Sequence, residues 1–173
     1  MENQVNSKSI ILNYGLYLGI AGIFIHLLFY ASGSLIDNLQ IVGLVGFIPL
    51  IALLVLGIKK FKNDNGGFLS FGQALKVGVG IAVVSALVSA VYTLIFTQVI
   101  EPGFQDQVME IQKQAWIDGG LSDEQIESAE AMTKKFQSPL ITIPISIVAS
   151  AFFGFIISAI AGAIMQKKNE DTF

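Results

Sequence analysis

The sequence predicts an all-α membrane fold: four transmembrane helices, with an external amphipathic helical hairpin between helices three and four. Three observations predict it. Of the 173 residues, 53% are hydrophobic and 13% are charged, whereas about a quarter of the residues in an ordinary soluble domain are charged. The apolar residues are gathered into four long runs. One sizeable polar region, between the third and fourth runs, holds most of the acidic residues.

Each of the four runs is long enough to cross a hydrocarbon core, which takes about 20 helical residues. None contains Asp, Glu, Lys or Arg, and backbone polar groups in lipid must be paired within their own segment, so each run should form a helix. The predicted spans are residues 10–31, 39–58, 77–100 and 140–165. A cleaved signal peptide is the alternative for the first run, but that run is longer than the usual 7 to about 15 apolar residues.

Lysines near the ends of the runs predict the orientation, because cytoplasmic loops carry an excess of positive charge. The side that holds both termini has seven lysines: Lys8, Lys59, Lys60, Lys62, Lys76, Lys167 and Lys168. The other side has three: Lys113, Lys134 and Lys135. We therefore expect both termini and a basic loop at residues 59–76 to be cytoplasmic.

Residues 101–138 form the predicted hairpin, which is periplasmic in this orientation. Residues 104–116 carry apolar side chains on one helical face, and Asp118-Gly119-Gly120 ends that helix. Ser122 and Gln125 have the spacing of a capping box, which predicts a second helix over residues 123–136. The eight acidic residues of the region fit no EF-hand spacing, so a solvated acidic face is favoured over a cation site.

Small residues recur at every fourth position in the third and fourth spans. Lipid tails are as apolar as leucine, so helices associate in a bilayer through close backbone approach, which small residues allow. The pattern predicts that these two helices pack together, and a homodimer built on one stripe is the alternative. The stripes are Ala74, Gly78, Ala82, Ala86 and Ala90 on the third helix, the first of them just before the span, and Ser146, Ser150, Gly154, Ser158 and Gly162 on the fourth. Gly15 and Gly19 repeat the spacing once in the first span.

His26 is the single histidine, and it lies in the first span one turn before Tyr30. A polar group in lipid is a functional candidate by default, so His26 and Tyr30 form the candidate intramembrane polar site. The structural alternative is a neutral histidine bonded to a neighbouring helix. A single histidine does not assemble a metal site without further ligands, and no carboxylate shares its depth.

The rest of the composition argues against catalysis and cofactor binding. No span contains an acid–base pair, and no serine in a span has a histidine or lysine at its depth to activate it. The chain has no cysteine, and all ten basic residues are lysine, so no arginine fork for phosphate exists. We expect a protein that is not an enzyme, with no cofactor, no metal and no nucleic-acid partner.

Three segments together have a distinctive sequence: residues 67–78 (GFLSFGQALKVG), residues 112–127 (QKQAWIDGGLSDEQIE) and residues 136–139 (FQSP). With the order of helices around them, they resemble domain-of-unknown-function family 4199, small four-helix membrane proteins of Bacteroidota. The likeness extends over essentially the whole chain. It implies a bacterial inner-membrane location, and it supplies no reaction, ligand or catalytic residue.

The leading functional hypothesis is a non-enzymatic integral inner-membrane protein, an accessory or scaffold subunit of a membrane assembly. Its external hairpin would contact a membrane or periplasmic protein partner, or the chain would self-associate. The alternative is a small oligomeric transporter or channel with its path between protomers. The residues that would line such a path are Tyr14, Tyr17, His26, Tyr30 and Tyr92.

Overall fold

The computed structural model describes residues 6–167, and the regular structure there is helical apart from one isolated β-bridge. The helices are α1 (Ser7–Ala31), α2 (Leu39–Asp64), α3 (Phe71–Ile95), α4 (Phe104–Asp118), α5 (Asp123–Gln137) and α6 (Pro139–Met165), and a π-helical turn (Phe96–Ile100) continues α3. Over these residues, four helices are long and apolar enough to cross a membrane: α1, α2, α6 and α3 with its π-helical turn. The predicted number of spans is confirmed to that extent.

The connection between α2 and α3 is shorter than the predicted loop over residues 59–76. Helix α2 continues to Asp64. Hydropathy falls where the lysines begin, and the predicted span ended there, but the backbone hydrogen bonds of the helix continue through the lysines. Lys60 Nζ lies 2.7 Å from Asp64 Oδ1, one turn along the helix, and such a pair supports a terminal turn. All four lysines of the predicted loop therefore lie on helices, three on α2 and one on α3.

Helix α3 begins at Phe71, six residues before the predicted span, because a capping box starts it there. The Gln73 amide N–H donates to Ser70 Oγ at 3.2 Å, and the Ser70 amide N–H donates to Gln73 Oε1 at 2.8 Å. This reciprocal pairing satisfies two donors that a helix N-terminus otherwise leaves unpaired. The Ser-x-x-Gln spacing was present in the sequence and is the signal that would have placed this boundary.

Contacts divide the chain into two compact units. Of the described residues, the first holds 6–89 together with 147–167, and the second holds Ala90–Ser146. The first unit therefore contains α1, α2 and most of α3 and α6. The second contains the π-helical turn, α4 and α5.

Side chains of α2 and α3 supply most of the buried core of the first unit. The apolar residues with no exposed surface are Leu54, Ile58, Leu69, Ala74, Val77 and Ile81. Large apolar side chains on the outer faces of the long helices, such as Phe24, Leu44 and Val148, are exposed. Exposed leucine and phenylalanine are costly in water and neutral in lipid, so this distribution suits helices that stand in a membrane.

The second unit contains the helical hairpin of α4 and α5. Lys113 Nζ on α4 lies 3.7 Å from Glu130 Oε2 on α5, and Lys134 Nζ lies 2.7 Å from Glu130 Oε1. Met109 and Ile126 are the buried side chains of the two helices. The hairpin is thus held by little apolar burial and one shared carboxylate.

The predicted capping box at the start of α5 is confirmed. The Ser122 amide N–H donates to Gln125 Oε1 at 2.9 Å, and the Gln125 amide N–H donates to Ser122 Oγ at 3.4 Å. We expect Ser122→Ala to destabilise α5 by about 1 kcal/mol, which raises amide hydrogen exchange across residues 123–137. Ser128→Ala, an exposed position within the same helix, is the control. Equal exchange in the two variants would contradict the prediction.

Acid should loosen the hairpin through Glu130. The hydrogen bond from Lys134, then the charges of Lys134 and Lys113, hold the pKa of Glu130 below its ordinary value of 4.5. A carboxyl whose pKa is lowered on folding stabilises the fold above its unfolded-state pKa, and that contribution disappears as the pH falls through the folded-state pKa. We expect the fluorescence of Trp116 to report a loosened hairpin as the pH falls below the ordinary glutamate pKa of 4.5. Glu130→Gln should remove this transition, and the same transition in that variant would refute the assignment.

Candidate functional site

Small residues of α3 and α6 face one another within the first unit. A Cβ built on any of three glycines would lie closer than 3.0 Å to a Cβ of the other helix, a distance that real Cβ atoms essentially never show. The facing pairs are Gly78 with Ser158 (2.7 Å), Gly154 with Ala82 (2.6 Å) and Gly162 with Ala74 (2.8 Å). None of these three glycines has room for a side chain unless the helices move apart.

The facing pairs share one antiparallel register, since the two residue numbers of each pair add up to 236. The same register sets Ala86, which is buried, level with Ser150, which is half-buried. The remaining residues of the two stripes, Ala90 and Ser146, belong to the second unit, and Ser146 is exposed. Direct facing contacts thus involve six of the ten stripe residues.

The opposite face of α3 packs against α1. A Cβ built on Gly15 would lie 2.5 Å from Val84 Cβ, and one on Gly19 would lie 2.7 Å from Val88 Cγ1. Both pairs differ by 69 in residue number, as parallel helices in constant register do. The glycines of the first span therefore receive valines of α3, a pairing that their spacing alone does not indicate.

Ser158 is a buried polar residue with no exposed surface. Its hydroxyl has no hydrogen-bond partner and points at Gly78. A buried hydroxyl without a partner costs about 1 to 3 kcal/mol. It gains no nucleophilic character from this position, because apolar surroundings supply no base.

Removing the Ser158 hydroxyl should stabilise the protein. Ser158→Ala deletes the unpaired group without adding volume next to Gly78, so we expect the free energy of unfolding to rise by about 1 kcal/mol. Reversible unfolding in mixed detergent micelles measures the change. Ser150→Ala, at a half-buried position of the same helix, should change stability by less than about 0.5 kcal/mol. A destabilised Ser158→Ala variant would show that the hydroxyl is satisfied.

His26 and Tyr30 lie one turn apart on α1, and both are half-buried. Each has an interaction partner within the protein. Between residues 6 and 167, no three His, Cys, Asp or Glu side chains are grouped so that they could hold a metal ion. The two candidate residues therefore form a pair of polar side chains on one helix.

The C-terminal end of α6 is hydrogen-bonded to the connection between α2 and α3. Leu69 and Lys167 exchange two backbone hydrogen bonds, each 2.9 Å long. Lys62 Nζ donates to the Met165 carbonyl oxygen at 2.8 Å, and Lys167 Nζ lies 5.8 Å from the centre of the Phe68 ring. We call these five residues the terminal clasp. Sequence reasoning missed it because its partners are about a hundred residues apart, and Lys168 lies outside the described residues.

Comparison with known proteins places the chain in a family. No curated protein and no solved structure matches it. A family model described as "Protein of unknown function (DUF4199)" matches residues 13–167, which confirms the resemblance carried by the three sequence segments. That match contains α2 to α6 complete and most of α1. The described structure contains four membrane-span-like helices, the α4–α5 hairpin and the terminal clasp. The chain belongs to the DUF4199 family.

Proposed function

We propose that the protein is a non-enzymatic accessory or scaffold subunit of a membrane assembly, which it joins through the α4–α5 hairpin. The observation that carries the proposal is apolar surface left uncovered on this otherwise charged element. Ile111 and Ile117 on α4 are 48% and 49% exposed, and Met132 and Phe136 on α5 are 63% and 55% exposed. Uncovered apolar side chains rimmed by charge are typical of protein interaction surfaces.

The orientation belongs to the same proposal. Both termini lie in the cytoplasm, the protein resides in the bacterial inner membrane, and the hairpin projects into the periplasm. The excess of lysine at the ends of the spans that carry the termini supports this orientation. A reporter that is active only outside the cytoplasm should be active when fused after Gly120 and inactive when fused to the C-terminus. The reverse result would invert the topology.

The small-residue stripes complete the proposal. We infer that in the membrane they hold α3 against α6 of the same chain rather than join two copies. The support is that Gly78, Gly154 and Gly162 already have no space left by contacts within one chain. A second copy would have to displace those contacts before it could use the same residues.

Site-specific photo-crosslinking tests the partner role. A photoreactive residue at Met132 or Phe136 in native membranes should yield a larger adduct that contains a second protein. The same residue at Glu127, which is exposed and about 180° around α5 from Phe136, should yield much less. An adduct with twice the mass of the chain would indicate self-association. Absence of protein adducts at both apolar positions would refute the partner role.

A small oligomeric transporter or channel is the second candidate, favoured by the half-buried His26 and Tyr30 on one face of α1. This function predicts solute flux in liposomes that contain the purified protein. His26→Ala should abolish the flux while the protein still assembles. A flat trace across candidate solutes with the unaltered protein would eliminate the transporter.

A further inference from the structure

We propose that the end of the first unit that carries the terminal clasp binds the headgroups of anionic phospholipids. Six lysines of the described residues lie there: Lys8, Lys59, Lys60, Lys62, Lys76 and Lys167. The inference requires the long helices to stand in a membrane, and it does not depend on the accessory role of the hairpin.

The helix registers set three of these lysines at one depth. Residues of α1 and α3 that lie at the same level differ by 69 in residue number. Lys8 is therefore level with Val77, one residue from Lys76. Gly57 of α2 faces Ile81 of the antiparallel α3, which sets Lys59 within about three residues of that level. At a rise of 1.5 Å per residue, the three Cα atoms lie within about 5 Å along the helix axes.

The same three lysines point away from the protein core. Lys59 and Lys76 are exposed, whereas the residues next to them in sequence, Ile58 and Val77, have no exposed surface. Lys8 is also exposed. A lysine near the end of a spanning helix extends its methylene chain along apolar surface and sets its ammonium group among the headgroups. The anion that reaches an outer helix face at this depth is a lipid phosphate.

Among the described residues, this end carries six lysines and one acidic residue, so their charge balance is positive. Among residues 6–167, Lys8, Lys59 and Lys76 have no ion-pair partner, and the single acidic residue at this end, Asp64, pairs with Lys60. Lys62 is engaged by the Met165 carbonyl. Each uncompensated lysine near an anionic membrane surface strengthens association by about fivefold. Lys8, Lys59 and Lys76 therefore supply the attraction to anionic headgroups. The terminal clasp fixes the helix ends near these lysines.

Quenching by brominated lipids measures the preference directly. The chain has one tryptophan, Trp116 in the hairpin, so Trp116→Phe with Phe68→Trp moves its only indole to the terminal clasp. In vesicles of phosphatidylcholine that contain phosphatidylglycerol, bromine is carried on one lipid or the other at equal mole fraction. We expect the relative association constant for phosphatidylglycerol at the introduced indole to exceed that for phosphatidylcholine by at least about fivefold.

A charge-matched pair of double variants assigns the preference to the lysines. Lys59→Gln with Lys76→Gln should reduce it to near unity, and Lys113→Gln with Lys135→Gln in the hairpin should leave it unchanged. Equal association of both lipids in the parent, or an equal loss in the two double variants, would overturn the proposal. Loss of the preference in sodium phosphate but not in sodium chloride of equal ionic strength would indicate a site for free phosphate and would also overturn it.

Native mass spectrometry keeps the proposal testable if the displaced tryptophan impairs folding. The parent chain with Trp116 in place should retain more phosphatidylglycerol than phosphatidylcholine when both are supplied equally. Lys59→Gln with Lys76→Gln should retain the two lipids equally. Equal retention by the parent would overturn the proposal. None of these results depends on crosslinking at the hairpin, so the two proposals fail separately.

Discussion

Replacing Gly78 with leucine is expected to separate α3 from α6 and to lower the free energy of unfolding by about 3 kcal/mol. A Cβ at this position would overlap Ser158 and would also lie 3.3 Å from Ile58 Cδ1. Leucine is neutral in lipid, so the cost does not arise from transfer between phases. It arises because a side chain must enter a contact that holds only a hydrogen atom, and the backbones must move apart.

Unfolding in mixed micelles measures this loss, and Gly46→Leu is the matched control. A Cβ built on Gly46 of α2 meets nothing within 4 Å, so the same substitution there should leave stability unchanged or slightly raised. Equal destabilisation at the two positions would contradict the close packing of α3 on α6. The cysteine-free chain also allows a clean crosslink: Ala86→Cys with Ser150→Cys should oxidise readily, and less so once Gly78→Leu is added.

Lys62→Met is expected to open the terminal clasp and to cost about 2 kcal/mol. Lys62 Nζ is partly buried and donates to the Met165 carbonyl oxygen at the C-terminal end of α6. A hydrogen bond from a charged donor contributes about 1.5 to 3 kcal/mol, and the partial negative charge of a helix C-terminus adds to the attraction. Methionine keeps the length and apolar stem of the side chain and removes only the ammonium group.

Local hydrogen exchange distinguishes an opened clasp from general destabilisation. The amides of Leu69 and Lys167, which bond to each other's carbonyls, should exchange faster in Lys62→Met. Lys59→Met removes a charge from an exposed neighbouring position and should shift stability by no more than about 0.5 kcal/mol. Unchanged protection of Leu69 in Lys62→Met would show that the α6 end is held without the lysine.

The sequence was most informative where one local property determines the structure. The four spans follow from uncharged length alone, and the start of α5 follows from Ser122 and Gln125. Helix ends near the membrane surface were predicted less well: α2 extends to Asp64 and α3 starts at Phe71. Hydropathy reports where lipid contact ends, whereas helix hydrogen bonding continues until a cap stops it. The π-helical turn after Ile95 has no local signature that sequence reasoning could use.

The candidate site shows the same division between local and long-range information. The stripes contain three of the glycines that approach another helix closely, but spacing gives no partner. Only the structure sets Gly154 against Ala82 and Gly15 against Val84. The terminal clasp could not be predicted from the sequence, because nothing in a short window of sequence relates Leu69 to Lys167.

Helix α3 meets two neighbours on opposite faces within the same few turns, and this limits how the gene for such a chain can change in length. Gly78 and Gly80 stand about 200° apart around the axis, one against α6 and one against α1. Inserting or deleting a single codon between Ala74 and Val88 would turn everything beyond it by about 100° and shift it by about 1.5 Å. Both sets of contacts would then be lost together, so tolerated insertions should fall outside this stretch, in the turns and the hairpin.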